Sequence, residues 1–183
     1  MTLRFREDKA AQAAARLLNA RGGTMHYLKL LKLLYLADRK ALLELGRPIS
    51  YDRYVSMPHG PVLSRTYDLM VAEPDPEQPT YWRQIISEPR GYTVSLLGDA
   101  PRDQLSRAEE QILDQVFAEF GRRNRWQLRD YMHQLPEYRD PQGSTLPIEI
   151  RDILLSQGVS PEDATAIWDE LVADSIVGQS ASR

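Results

Sequence analysis

The residues with the widest chemical reach are three histidines, one carboxylate set in a leucine-rich run, and two clusters of mixed basic and aromatic side chains. His26, His59 and His133 are far apart, and none has a second ligand at metal-binding spacing within its own element, so each reads as structural. Ser64 follows a glycine–proline turn, but no neighbouring base is nominated for it. The chain has no cysteine and lacks the glycine patterns that cradle phosphates or present a nucleophilic serine. Neither an enzyme nor a cofactor is expected. Asp38 lies on an apolar stripe, where an unpaired carboxylate would be costly, so a partner such as Arg53, Tyr54 or His59 is expected.

Two clusters remain. Tyr51, Arg53, Tyr54, Met57 and His59 combine residue types that bury large area and keep polar ends, the composition of a protein–protein contact. The competing reading is a tyrosine-rich strand packed on helices. Arg122, Arg123, Arg125 and Arg129, interleaved with Trp126 and Tyr131, could instead meet phosphates or base edges, which gives a DNA-binding regulator as the alternative. Glu109, Glu110, Asp114, Glu119 and Asp130 dilute that field.

The elements that must hold these residues are mainly helical. Helices are expected over 5–20, 25–45, 62–71, 106–120, 124–134, 147–157 and 161–174, with a short strand at 51–57 and a β-hairpin over 81–97. The segment 25–45 carries Leu28, Leu31, Tyr35, Asp38, Leu42 and Leu45 on one face, with a second apolar face beside it. So wide an arc predicts the central helix, opened by Thr24, with Lys29, Lys32 and Lys40 as a solvated face. Gly46 and Pro48 end it. Pro61 suits the first position of the next helix, and Gly60-Pro61-Val62 reads as its entry device, or as a turn presenting Met57 and His59. Ser106 with Glu109, and Asn124 with Gln127, are capping signatures, and Ser160 caps the last helix. The expected class is mainly α with a minor β component: about seven helices in one domain over 1–176, a linker at 73–79, and a disordered tail over 177–183.

Composition agrees with a folded chain. The 183 residues are 42% hydrophobic and 27% charged, with a net charge of −3. That balance argues against a dedicated nucleic-acid binder. The start of the chain lacks the apolar run of a secretory signal, and Lys29 and Lys32 interrupt the longest leucine stretch, so a cytoplasmic protein with no membrane span is expected.

The run Lys29-Leu30-Leu31-Lys32-Leu33-Leu34-Tyr35-Leu36-Ala37-Asp38-Arg39, then Gly46-Arg47-Pro48-Ile49, then Tyr54 to Val62 with its Gly60-Pro61-Val62, and then Tyr67, resembles the core of the Panacea (SocA-like) antitoxin family. The stretch 105–138, ending in His133-Gln134-Leu135-Pro136-Glu137-Tyr138, is similar more loosely. The resemblance implies an antitoxin encoded beside a toxin gene and neutralising its product by direct binding, with one branch delivering the toxin to a protease. It carries Tyr35, Asp38, Gly60, Pro61 and Val62 as structural motif positions.

Overall fold

Alanine decides how the first helix packs. α1 (Glu7–Ala20) buries Ala10, Ala11, Ala13, Ala14 and Ala15 with Leu17 and Leu18, and such small side chains let other helices approach closely. In the computed structural model, which describes residues 3–73 and 80–180 with side chains to 176, α1 packs on α2 (Tyr27–Leu45), α4 (Tyr81–Ile85) and α5 (Arg107–Phe120). α2 also meets α3 (Ser64–Val71) and α6 (Arg125–Met132). Every α2 residue from Lys29 to Asp38 is buried. It is the central helix the wide apolar arc predicts, and it ends at Gly46 in the left-handed region, φ 70°.

Two small antiparallel sheets flank this core. β1 (Thr24–His26) pairs with β4 (Thr93–Ser95), Met25 opposite Val94. β2 (Tyr54–Met57) lies between β3 (Gly60–Leu63) and β5 (Leu146–Ile148). α7 (Ile150–Ser156) and α8 (Pro161–Ser180) pack on each other. The described residues thus hold eight helices, one more than the seven expected, in the expected mainly α class with minor β. Among them, no helix is long and apolar enough to cross a membrane.

Several local expectations are corrected. The segment 81–85 is helical rather than the first arm of a hairpin, because one helical turn points both Trp82 and Ile85 at the core beside α1. The chain still doubles back, through bridges of Ile86 with Leu96 and Arg90 with Thr93, but the second arm pairs with β1. Pro61 opens no helix. It sits in β3 opposite Ser56, on an edge strand where a missing N–H is tolerated, and α3 starts at Ser64. Pro147 likewise lies in β5, so α7 begins at Ile150. His26, not Thr24, caps α2, its Nδ1 accepting from the Leu28 N–H at 3.2 Å. α8 continues through Ser180, so 177–180 are helix rather than tail; 181–183, and the expected linker from 74 to 79, lie outside the described residues.

The solvated lysine face does not exist. Lys29 and Lys32 are buried, and only Lys40 keeps a half-exposed ion pair, with Glu44. Lys29 Nζ donates to the Gly121 carbonyl at 2.6 Å, so it satisfies and neutralises the C-terminal end of α5. The other capping expectations hold: Ser106–Glu109 and Asn124–Gln127 form reciprocal capping boxes, and Ser160 Oγ accepts from the Asp163 N–H.

Candidate functional site

Motif residues distant in sequence converge on the 57–60 turn. Tyr35 OH donates to Glu137 at 3.0 Å and Arg39 Nε donates to the same carboxylate at 2.7 Å, which ties α2 to the segment after α6. Burial, reinforced by Glu137, pushes the Tyr35 phenol well up, so it stays neutral. On either side of Glu137 in sequence, His133 and Tyr138 stack with ring centres 4.6 Å apart. That anchored segment forms the back of the hairpin turn between β2 and β3. Gly60 has φ +100°, and a Cβ there would stand 3.0 Å from Met132 Cβ and 3.3 Å from Lys32 Nζ. Gly60→Ala therefore adds backbone strain and a contact that cannot relax toward α6. A loss of roughly 2–4 kcal/mol is expected, read as a lower urea midpoint.

Asp38 organises the other end of α2. Its Oδ1 accepts from the Ile49 and Ser50 N–H groups, each at 2.9 Å, and its Oδ2 accepts from Ser50 Oγ at 2.6 Å and Tyr54 OH at 3.3 Å. Of the three partners foreseen for it, only Tyr54 is met. Burial raises its pKa to about 7 despite these donors. Asp52 plays a matching part that the sequence reading missed. It accepts from the Arg65 and Thr66 N–H groups and from Thr66 Oγ1, and so caps α3 from outside the helix.

The five residues offered for partner contact are split. Tyr54 is buried, its ring edge-on to Tyr35. Tyr51 and Arg53 line a cleft of about 330 Å³ with Leu3 and Trp168. Met57 and His59 line a different one, of about 560 Å³, together with His26, Tyr27, Lys32, Gly60, Tyr67, Tyr92, Arg125 and Trp126. The split follows from strand alternation, since Tyr54 and Ser56 face inward while Val55 and Met57 do not.

This second cleft has the character of a recognition site. Tyr92 is 67% exposed and Trp126 47% exposed, the two large aromatic side chains most open to solvent among the described residues, and both line it. His26 and Tyr92 stack with rings 1° from parallel and centres 5.5 Å apart, and Tyr27 lies against both. Arg125 and Arg129 stand over the Trp126 ring at 4.7 and 5.1 Å. Of the four arginines of the alternative nucleic-acid reading, those two are therefore packed on Trp126 and Arg129 also pairs with Asp130. Arg123 lies over Phe120 and Tyr131, and Arg122 is exposed. On the cleft wall, burial and then Arg125 hold the His26 pKa below its ordinary value.

Lys32 forms the floor. It is 2% exposed, and its Nζ donates to the His59 carbonyl. Burial, with Arg129 adding repulsion, lowers its pKa to about 8. No Asp or Glu lines the cleft, and no group of three metal-binding side chains occurs among the described residues.

The chain matches the family model described as antitoxin SocA-like, Panacea domain, over residues 30–138. That span runs from α2 through α6 and holds Lys32, Met57, His59, Gly60, Tyr67, Tyr92, Arg125 and Trp126, whereas β5, α7 and α8 lie beyond it. No curated protein and no solved structure matches. With well over half of its length inside the match, the chain belongs to the SocA-like antitoxin family that carries the Panacea domain.

Proposed function

We propose that this protein neutralises a toxin by binding it directly, as a non-catalytic partner, and that the toxin docks in the cleft between His26, Tyr92, His59 and Trp126. One observation carries the location. The protein leaves two of its largest aromatic side chains exposed, and both stand on the same concavity beside Met57 and Arg125. Tyrosine, tryptophan and arginine dominate binding energy at protein interfaces, and stranding them in water is otherwise unfavourable.

The test is neutralisation of the toxic product encoded beside this gene. Trp126→Ala and Tyr92→Ala remove exposed side chains and should leave folding intact. Each is expected to weaken toxin binding by roughly thirtyfold, the scale of an interface hot spot, and to abolish rescue at unchanged antitoxin abundance. Full rescue by both variants would move the interface elsewhere. Blocking the toxin and delivering it to a protease share this step and differ afterwards. Toxin half-life separates them, since a blocker prolongs it and an adaptor shortens it.

A further inference from the structure

We propose that the cleft is a receptor for an acidic segment of the partner polypeptide, with one carboxylate of that segment seated against the Lys32 ammonium and Arg125 meeting its acidic neighbours at the rim. The inference deepens the toxin-binding reading and rests on it. It names the chemistry of what binds.

Three features of the floor carry the argument. An ammonium has three N–H donors, and among the described residues the acceptor for Lys32 is one backbone carbonyl, that of His59. The charge that acts on Lys32 is of its own sign, that of Arg129, and His133 is repelled by Lys32 when protonated; Asp130, which also acts on His133, is paired with Arg129. Although the chain carries 26 Asp and Glu residues against 23 Lys and Arg, none of the acidic ones lines this cleft. A buried cation without a counter-charge is a costly arrangement, and a carboxylate brought by a partner would complete it with a charge-assisted hydrogen bond in a desolvated place.

Gly60 keeps that place open. A side chain there would begin 3.3 Å from the Lys32 Nζ and cover it from the turn. The walls suit a polypeptide, because Tyr27, Tyr92 and Trp126 offer flat faces to the side chains on either side of the acid. Nucleic acid fits less well. A phosphate backbone is held by a row of surface cations, whereas here one cation is sunk in the floor and one stands at the rim.

The test uses the full-length chain, labelled for NMR, and follows the Lys32 and Trp126 side-chain signals. The probes are a synthetic peptide alternating Glu and Tyr, its counterpart with Gln in place of Glu, and a double-stranded oligonucleotide. The Glu peptide is expected to shift both signals and to bind roughly tenfold or more tighter than the Gln peptide, as a hydrogen bond to a charged group implies. Lys32→Met should erase that difference, and Arg125→Gln, at an exposed position where folding is not at stake, should reduce it. Equal binding of the two peptides, no binding of the Glu peptide, or saturable perturbation of both signals by the oligonucleotide instead would overturn the proposal. The toxin itself separates the two levels. If Trp126→Ala loses neutralisation while the peptides show no preference for Glu, the docking site stands and the acidic-segment inference falls. If Trp126→Ala and Tyr92→Ala both rescue fully, the docking site falls.

Discussion

Lys32→Met is expected to make the protein more stable at pH 7, by roughly 2 kcal/mol. The lysine is buried in α2 with a pKa lowered from 10.5 to about 8, chiefly by desolvation. Holding it protonated at neutral pH therefore costs about 3 kcal/mol relative to the unfolded chain. Methionine fills similar space without charge. The loss on the other side is one hydrogen bond to the His59 carbonyl, about 1 kcal/mol, at an exposed turn where water can replace it. The melting temperature should rise by roughly 4–8 °C. The pH dependence gives a second readout. Between about pH 8 and 10.5 the unfolded chain binds the proton that folded Lys32 has released, so wild-type stability climbs with pH across that window. Arg129, His59 and His133 are the other ionisable groups around the turn, and His133, held below its ordinary value chiefly by burial, has lost its proton before that window opens. Lys32→Met should be flat there relative to wild type. A variant less stable than wild type at pH 7 would show that the ammonium stabilises the fold. A residue that weakens the fold while lying at the floor of a cleft is more readily understood as serving what enters the cleft.

The central helix, its glycine end and both capping boxes were legible because their signals are local, written within a few residues. The fates of Lys29 and Lys32 were not. The carbonyls they meet belong to Gly121 and His59, 92 and 27 residues away, and only tertiary structure brings those acceptors to the helix. At 81–85, aromatic and β-branched residues favour a strand, yet packing on α1 rewards the helical spacing of Trp82 and Ile85. For the site, Met57 and His59 were singled out in one cluster and Arg125 in another, and Tyr92 and Lys32 were not seen as members. One signal went unused. Trp126 lies off the stripe on which Leu128 and Met132 are buried, and a tryptophan on the polar side of a short helix points to a surface with work to do.

Asp38 should behave in the opposite way to Lys32, and two substitutions separate its charge from its hydrogen bonds. Asp38→Ala removes the acceptor for the Ile49 and Ser50 N–H groups, the Ser50 hydroxyl and the Tyr54 hydroxyl at a fully buried position. A loss of about 3–5 kcal/mol is expected, since buried donors are left unpaired and a cavity remains. Asp38→Asn should keep most of the stability. Its carbonyl oxygen can take the two amides, and its NH2 can donate to hydroxyl oxygens that accept as readily as they donate. The charge shows in the pH profile. Folded Asp38 holds its proton up to about pH 7, whereas the unfolded carboxyl releases it near 3.8. The folded state thus binds more protons between those values, and the contribution falls as pH rises through about 7, by roughly 4 kcal/mol in all. Asp52, the nearest carboxylate, sharpens the effect by repulsion, and Tyr54 and Tyr35 stay neutral throughout because burial raises both phenols. Urea denaturation of wild type and Asp38→Asn at pH 5 and pH 8 checks this: the difference between the two should swing toward the asparagine variant at the higher pH. An unchanged difference would mean that Asp38 is ionised in the folded protein at both values, with its four donors outweighing its burial.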